Sequence, residues 1–245
     1  ANLTLEDPAS NLCINCHQGR ESAVSVNRAI GDSPDDELAE GLSFRNVHYF
    51  AAGATLFGGE AQGAYEFDGQ EYVGRNEHVG GFDTCVECHN IHELEVEVEE
   101  CADCHEGVES KEDLKTIRVS ETDYDGDGDV TEGVAGEIDT IAASLLVAIQ
   151  EYANNNPNTD PIVYSASGYP YFFIDTNGDG EPTPDEANYG NRYVTWTPAL
   201  LRAAYNYQYS QKDPGAYAHN APYVIQVLQD SLASLGGDVS TMTRP

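Results

Sequence analysis

At 245 residues the chain is long enough for one large domain or two modest ones, and its apolar content of 40% is slightly low for a packed core of that size. With 43 Asp and Glu against 11 Lys and Arg, the formal charge of −32 argues against nucleic acid and anionic membrane surfaces as partners. The longest apolar run, Ile141 to Ile149, is far too short to span a bilayer, so no membrane span is expected.

The chain opens at Ala1 with neither Met nor a basic-then-apolar leader, which suggests a mature chain whose signal peptide has been removed. Cys13-Ile-Asn-Cys16-His17 is the first of three Cys-x-x-Cys-His pentads. From Glu37 to Leu56, the residues Leu38, Leu42, Val47, Phe50, Ala51 and Ala54 recur at roughly helical spacing and predict a helix carrying His48. Gly58-Gly59 ends it, and turns with short extended pieces around Tyr65–Phe67 and Tyr72-Val73 lead to His78 and Gly81. The second and third pentads, Cys85-Val-Glu-Cys88-His89 and Cys101-Ala-Asp-Cys104-His105, begin 16 residues apart with His92 between them.

Cys-x-x-Cys-His is the attachment signature of c-type haem: both thiols bond covalently to the porphyrin edge, and the adjacent histidine ligates the iron. All six cysteines fall inside the three pentads, which therefore predict three covalently bound haem c groups. A zinc ribbon built from Cys85, Cys88, Cys101 and Cys104 would leave the first pair unmatched and would not explain a histidine after every pair. A disulfide framework is equally indifferent to those histidines. Three apolar haem rings would also offset the modest apolar content, and irregular chain around them is what a haem-supplied core would give.

Of the seven histidines, His17, His89 and His105 are the proximal ligands. His48, His78, His92 and His219 remain as four candidates for three distal positions, and the only methionine is Met242, near the C-terminus. His92 lies three residues after His89, so the two cannot easily reach opposite faces of one porphyrin. It is expected to ligate a neighbouring haem and to hold two irons close together. His219, in AYAHNAPYV, is the reserve ligand or else a local hydrogen-bonding residue. Which distal histidine serves which iron stays open.

Composition shifts after Arg118, dividing a triheme region, 1–118, from a helical region, 119–245. Asp123, Asp125, Asp127 and Asp129 with Gly128 fill the first seven positions of a calcium loop, but position 12 is Val134, so Glu132 or Glu137 must close it. A second loop is complete, with Asp175, Asn177, Asp179, Gly180, Glu181 and Glu186 at positions 1, 3, 5, 6, 7 and 12. One or two Ca2+ ions are expected in a structural role, because Phe172-Phe173-Ile174 before the second loop reads as a strand and not as a sensor helix. Helices are predicted at Glu137–Tyr152, at Thr197–Gln211 with Thr197 as N-cap, and at Pro222–Leu235, with strands at Ile162–Tyr164 and Tyr171–Ile174. The expected fold is mainly α with much irregular structure. A haem-cored N-terminal part with few regular elements would precede an α-rich part with short strands and calcium loops.

FRNVHYFAAGATLFG around His48, GRNEHVGGFDTC around His78, CHNIH at His89–His92 and the pentads resemble multihaem c-type cytochromes of metal-reducing and related prokaryotes, including those forming extracellular filaments. The resemblance implies bis-histidine haems stacked closely enough to pass electrons, with His48, His78 and His92 as the distal set. It implies a secreted, extracellular electron carrier, not an enzyme, assembling head-to-tail with copies of itself and exchanging electrons with redox proteins or extracellular acceptors. The alternatives are a soluble periplasmic or extracellular shuttle, and a multihaem reductase with one open haem. So strong a negative charge disfavours the anionic substrates of such a reductase.

Overall fold

A computed structural model describes residues 2–245. Its centre is a trio of helices, α6 (Val134–Asn155), α7 (Pro198–Gln211) and α9 (Ala221–Ser234), which pack on one another. Five shorter helices come earlier: α1 (Ser10–His17), α2 (Ala23–Ile30), α3 (Ala52–Phe57), α4 (Cys85–Cys88) and α5 (Val98–Ala102). The single-turn α8 (Ala216–His219) precedes α9. Two strands, β1 (Ile162–Tyr164) and β2 (Phe172–Ile174), form an antiparallel pair in which Tyr164 faces Phe172. Helix, little strand and extensive irregular chain are thus observed, compatible with the expected fold, and no helix among the described residues is long and apolar enough to cross a membrane.

The α-helical stripes place the core. Ile138, Ile141, Leu145 and Ile149 of α6 meet Val224, Val227 and Leu228 of α9, and Leu200, Leu201, Ala204 and Tyr205 of α7 fill the third side. Thr197 caps α7, its Oγ1 accepting the Leu200 N–H at 3.2 Å, and Pro198 follows at the first helical position. The core also takes in Ala23, Val26 and Ile30 of α2 and Leu42, Val47, Ala51 and Tyr65, so it draws on both sides of the compositional boundary at Arg118.

Buried amide side chains on α7 and α9 order the irregular chain. Asn206 accepts from the Tyr65 N–H at 2.7 Å and donates to its carbonyl at 2.8 Å. Gln208 accepts from Val47 at 2.8 Å, and Gln226 from Val73 at 2.9 Å. Gln229 donates to the Tyr124 carbonyl at 2.7 Å. Each satisfies backbone groups that would otherwise need a sheet partner. Together they pin the segments leading to His48, His78 and the first acidic loop.

These latches explain where the structure departs from the periodicity. The helix expected over Glu37–Leu56 is confined to Ala52–Phe57. Val47 gives its N–H to Gln208, Ala39 gives its own to the Trp196 carbonyl at 3.1 Å, and Tyr49 adopts a positive φ of 62°. His48 therefore sits on extended chain, not on a helix. Conversely, α1 and α2 are helices that the apolar pattern did not reveal. Helix α6 runs beyond both ends of its predicted Glu137–Tyr152 span, and β2 begins one residue late because Tyr171 has φ of 75°.

From Glu66 to Gly107, every residue is described and none is buried. That stretch holds two pentads, and no side-chain core of its own supports it.

Candidate haem centres and calcium loops

Each pentad is a single helical turn. Cys13, Cys16 and His17 end α1; Cys85 and Cys88 frame α4; Cys101 lies on α5, and the turn continues to Cys104 and His105. The His89 N–H donates to the Cys85 carbonyl and that of His105 to the Cys101 carbonyl, both at 2.9 Å. Residues at i, i+3 and i+4 share one helix face, so both thiols and the imidazole of each pentad leave on the same side. A capping box starts α4: the Glu87 carboxylate accepts the Thr84 N–H at 3.0 Å and its hydroxyl at 2.9 Å. The Cys85 N–H donates to Ser10 Oγ at 3.0 Å and fastens the second pentad to the helix of the first.

All six cysteines are free thiols. Burial pushes the Cys85 and Cys101 thiols up, and pushes Cys88 up to about 11, with the neighbouring Cys101 and Glu87 adding to the effect. No cation stands among the causes to draw out a thiolate, so these are not activated nucleophiles.

The histidines come together in pairs from distant parts of the chain. The ring centres of His78 and His105 are 6.2 Å apart, and those of His89 and His219 are 6.4 Å apart. With metal–nitrogen bonds of about 2 Å and ring nitrogens about 1.1 Å from the ring centre, two imidazoles on opposite sides of one metal stand roughly 6 Å apart. Both spacings therefore suit an iron shared between the rings. Nδ1 is occupied in three of the rings: His17 with the Phe50 carbonyl at 2.8 Å, His78 with the Val79 carbonyl at 2.9 Å, and His219 with Asp213 at 2.8 Å. This engagement leaves Nε2 of these rings available to a metal. Burial, with the charges that His219 and His17 can carry, holds His89 below its ordinary pKa, which keeps it in the neutral form that binds metal.

His219, the reserve in the sequence reading, thus faces His89. Its position is fixed from several directions. Asn76 Nδ2 donates to the His219 carbonyl at 3.0 Å, while Asn220 caps α9 and donates to the Gly74 carbonyl at 3.0 Å. The segments carrying His78 and His219 are thereby tied together. His48 is exposed, with its ring centre 4.1 Å from that of Tyr49, and stands two residues before the Phe50 carbonyl that holds His17. His92 is also exposed, its N–H donating to Asn90 Oδ1 at 3.0 Å.

The two acidic loops share the same backbone hydrogen bonds at their first, third and fifth positions. In the first, Asp123 accepts from the N–H groups of Gly126 at 2.6 Å and Gly128 at 2.9 Å. In the second, Asp175 accepts from Gly178 at 2.7 Å and Gly180 at 2.9 Å. The sixth-position glycines have φ of 90° and 79°, where a side chain would be strained. Asp125 and Asn177 then accept from the residues two further on, at 3.1 and 2.8 Å.

Glu137 stands to the first loop as Glu186 does to the second, while Glu132 forms a separate carboxylate cluster with Asp125 and Asp127. Glu186 Oε1 accepts from positions 2 and 3 of its loop, Thr176 at 2.8 Å and Asn177 at 3.3 Å. Glu137 Oε2 accepts from the same positions of the first, Tyr124 at 2.8 Å and Asp125 at 2.7 Å. Val134 at position 12 opens α6, and Glu137 lies three residues on, on the same helix face, which is how it takes that role. Carboxylate oxygens of Asp123, Asp125 and Glu137 lie within 4.8 Å of one another. Asp125 Oδ2 and Glu137 Oε1 are buried without hydrogen-bond partners, although Arg118 Nη1 stands 2.6 Å from the latter. Burial and then the charges of Glu137 and Asp127 push Asp125 above the ordinary carboxylate range. A divalent cation would relieve that repulsion, so the donor set fits one. In the second loop Glu186 Oε2 is engaged by the Thr183 N–H at 3.0 Å and hydroxyl at 2.8 Å.

Two of the three pentad histidines thus have an imidazole from outside the pentads close to them, and the chain is similar in sequence to c-type polyhaem cytochromes. It is 27% identical over 260 aligned positions to the C-type polyheme cytochrome OmcB of Geobacter sulfurreducens, across 91% of this chain and 30% of OmcB. OmcC of the same organism gives 27% over 260 positions, covering 91% of this chain and 29% of OmcC. The chain therefore spans about three tenths of the length of the curated relatives it matches. No family model matches the chain, and no solved structure does.

Proposed function

We propose that this chain is a triheme electron-transfer unit, with haem c bound at Cys13/Cys16, Cys85/Cys88 and Cys101/Cys104 and with histidine on both faces of each iron. His17, His89 and His105 are the proximal ligands. His219 lies opposite His89 and His78 opposite His105; His48 or His92 completes the iron of His17. The observation that carries this reading is the pair of ring spacings, 6.4 and 6.2 Å, each joining a pentad histidine to one outside the pentads. Haem bound at the pentads would supply one-electron chemistry; the cysteines would hold it covalently, and the histidines, fixed by their hydrogen bonds, would ligate the iron.

Calcium in the two loops is structural in this reading, neutralising buried carboxylates beside α6. A secreted, extracellular setting fits attachment of haem outside the cytoplasm. Head-to-tail assembly with copies of itself into a conducting filament belongs to the same reading, as a contact that does not close on itself. A haem-stained, pyridine-treated preparation tests the count, with three haems per chain expected. A low-spin spectrum unchanged by carbon monoxide tests the ligation, and binding of carbon monoxide to any of the three irons would overturn it. Negative-stain microscopy separates filament from shuttle.

A further inference from the structure

The Nδ1 atoms of the axial candidates do not have equivalent partners. His17 and His78 meet neutral backbone carbonyls, whereas His219 meets a carboxylate. Asp213 is 1% exposed at the side chain, and both of its oxygens lie within reach of His219 Nδ1, at 2.8 and 3.0 Å. Its Oδ1 also accepts from the Gly215 N–H at 3.2 Å. Gly215 makes room for the ring: a Cβ there would lie 2.7 Å from His219 Cε1. The imidazole is thus clamped between a buried anion and a bare backbone, with its carbonyl held by Asn76.

We propose that Asp213 is a positioning residue that makes the haem flanked by His89 and His219 the lowest-potential centre of the three. A carboxylate on Nδ1 fixes the tautomer, leaves the Nε2 lone pair for iron and raises the basicity of the ligand. Its negative charge, on a carboxylate that is itself 1% exposed, would stabilise the ferric state over the ferrous one. Reduction adds one electron from the titrating reductant; no bond breaks, and Asp213 stays a carboxylate. Neutral carbonyls behind His17 and His78 give no such bias. Within one molecule this sets a downhill order, with electrons leaving the His89/His219 centre for its neighbours.

The inference rests on the reading that His89 and His219 share one iron, and the test separates the two. In haem-loaded protein, Asp213→Asn should raise the reduction equilibrium constant of one haem at least tenfold, about 59 mV for a one-electron couple, and leave the other two in place. Asp213→Glu should restore most of the shift. Unchanged couples in Asp213→Asn overturn the inference. His219→Ala tests the underlying reading: one iron of three should become high-spin and bind carbon monoxide, and failure to do so removes the shared iron itself. If Asp213→Asn does not retain three haems, the wild-type and His219→Ala titrations decide. The couple displaced by His219→Ala must be the lowest in wild type, and displacement of a higher one contradicts the proposal.

Discussion

Neutralising Glu137 tests whether the first acidic loop is closed from α6. Glu137 is fully buried and its Oε1 faces the Arg118 guanidinium, itself only 9% exposed. Glu137→Gln removes the anion and leaves that cation buried without a counter-charge, which costs about 3–5 kcal/mol when a buried pair loses one partner. In a chain of this size such a loss lowers the melting temperature by roughly 6–20 °C. The variant should also lose part of its response to calcium: wild type with calcium at a hundred times Kd gains about 2.7 kcal/mol for each filled site. Glu132→Gln is the control. Glu132 is pushed up by burial and by Asp125, Glu137 and Asp127, so its neutralisation relieves repulsion and changes stability by no more than about 1 kcal/mol in calcium-free buffer. Thermal unfolding at a series of calcium concentrations reads all three proteins. A calcium response lost in Glu132→Gln but kept in Glu137→Gln would refute the assignment.

Asn206→Ala should cost about 2–5 kcal/mol in denaturant unfolding, because it orphans the buried N–H and carbonyl of Tyr65 and leaves the Ser231 hydroxyl with only its bond to the Val227 carbonyl. A loss below about 1 kcal/mol would show that the amide latches are incidental. His78→Ala should convert one low-spin haem into a high-spin, carbon monoxide-binding one without changing the haem count; an unaltered spectrum would remove His78 from the ligand set. Hydrogen bonds from Thr183 and then Thr176 hold Glu186 down from 4.5 to about 2. A depressed carboxylate contributes stability that is present above its unfolded pKa and lost as pH falls through its folded one. Calcium-free protein should therefore weaken between about pH 4.5 and 2, and Glu186→Gln should flatten that part of the pH–stability curve; identical curves would contradict the hydrogen-bond assignment.

The features most legible in the sequence were those whose chemistry demands fixed local spacing. Two thiols and a histidine must leave one helical turn together, so the pentads read directly. The acidic loops, with glycine where φ is positive, read almost as well. Helices α6, α7 and α9 were visible because each buries an apolar stripe. What escaped depends on contacts between distant residues. Nothing near His219 announces that it faces His89, 130 residues earlier; α7, α8 and Asn76 bring it there. Glu137, three residues past position 12, reaches the Tyr124 and Asp125 N–H groups only because the loop runs straight into a helix. The 37–51 stretch carried a helical pattern but gave its backbone to Gln208, Trp196 and Lys212, a competition invisible to local periodicity.

The central claim is that histidines from outside the pentads complete the irons of the pentads. The most direct measurement is an experimental structure of the haem-loaded protein that resolves the axial ligands. One iron is expected between Nε2 of His89 and Nε2 of His219, and another between His105 and His78. An iron of His89 completed by any other residue, or a zinc ion among Cys85, Cys88, Cys101 and Cys104, would contradict it.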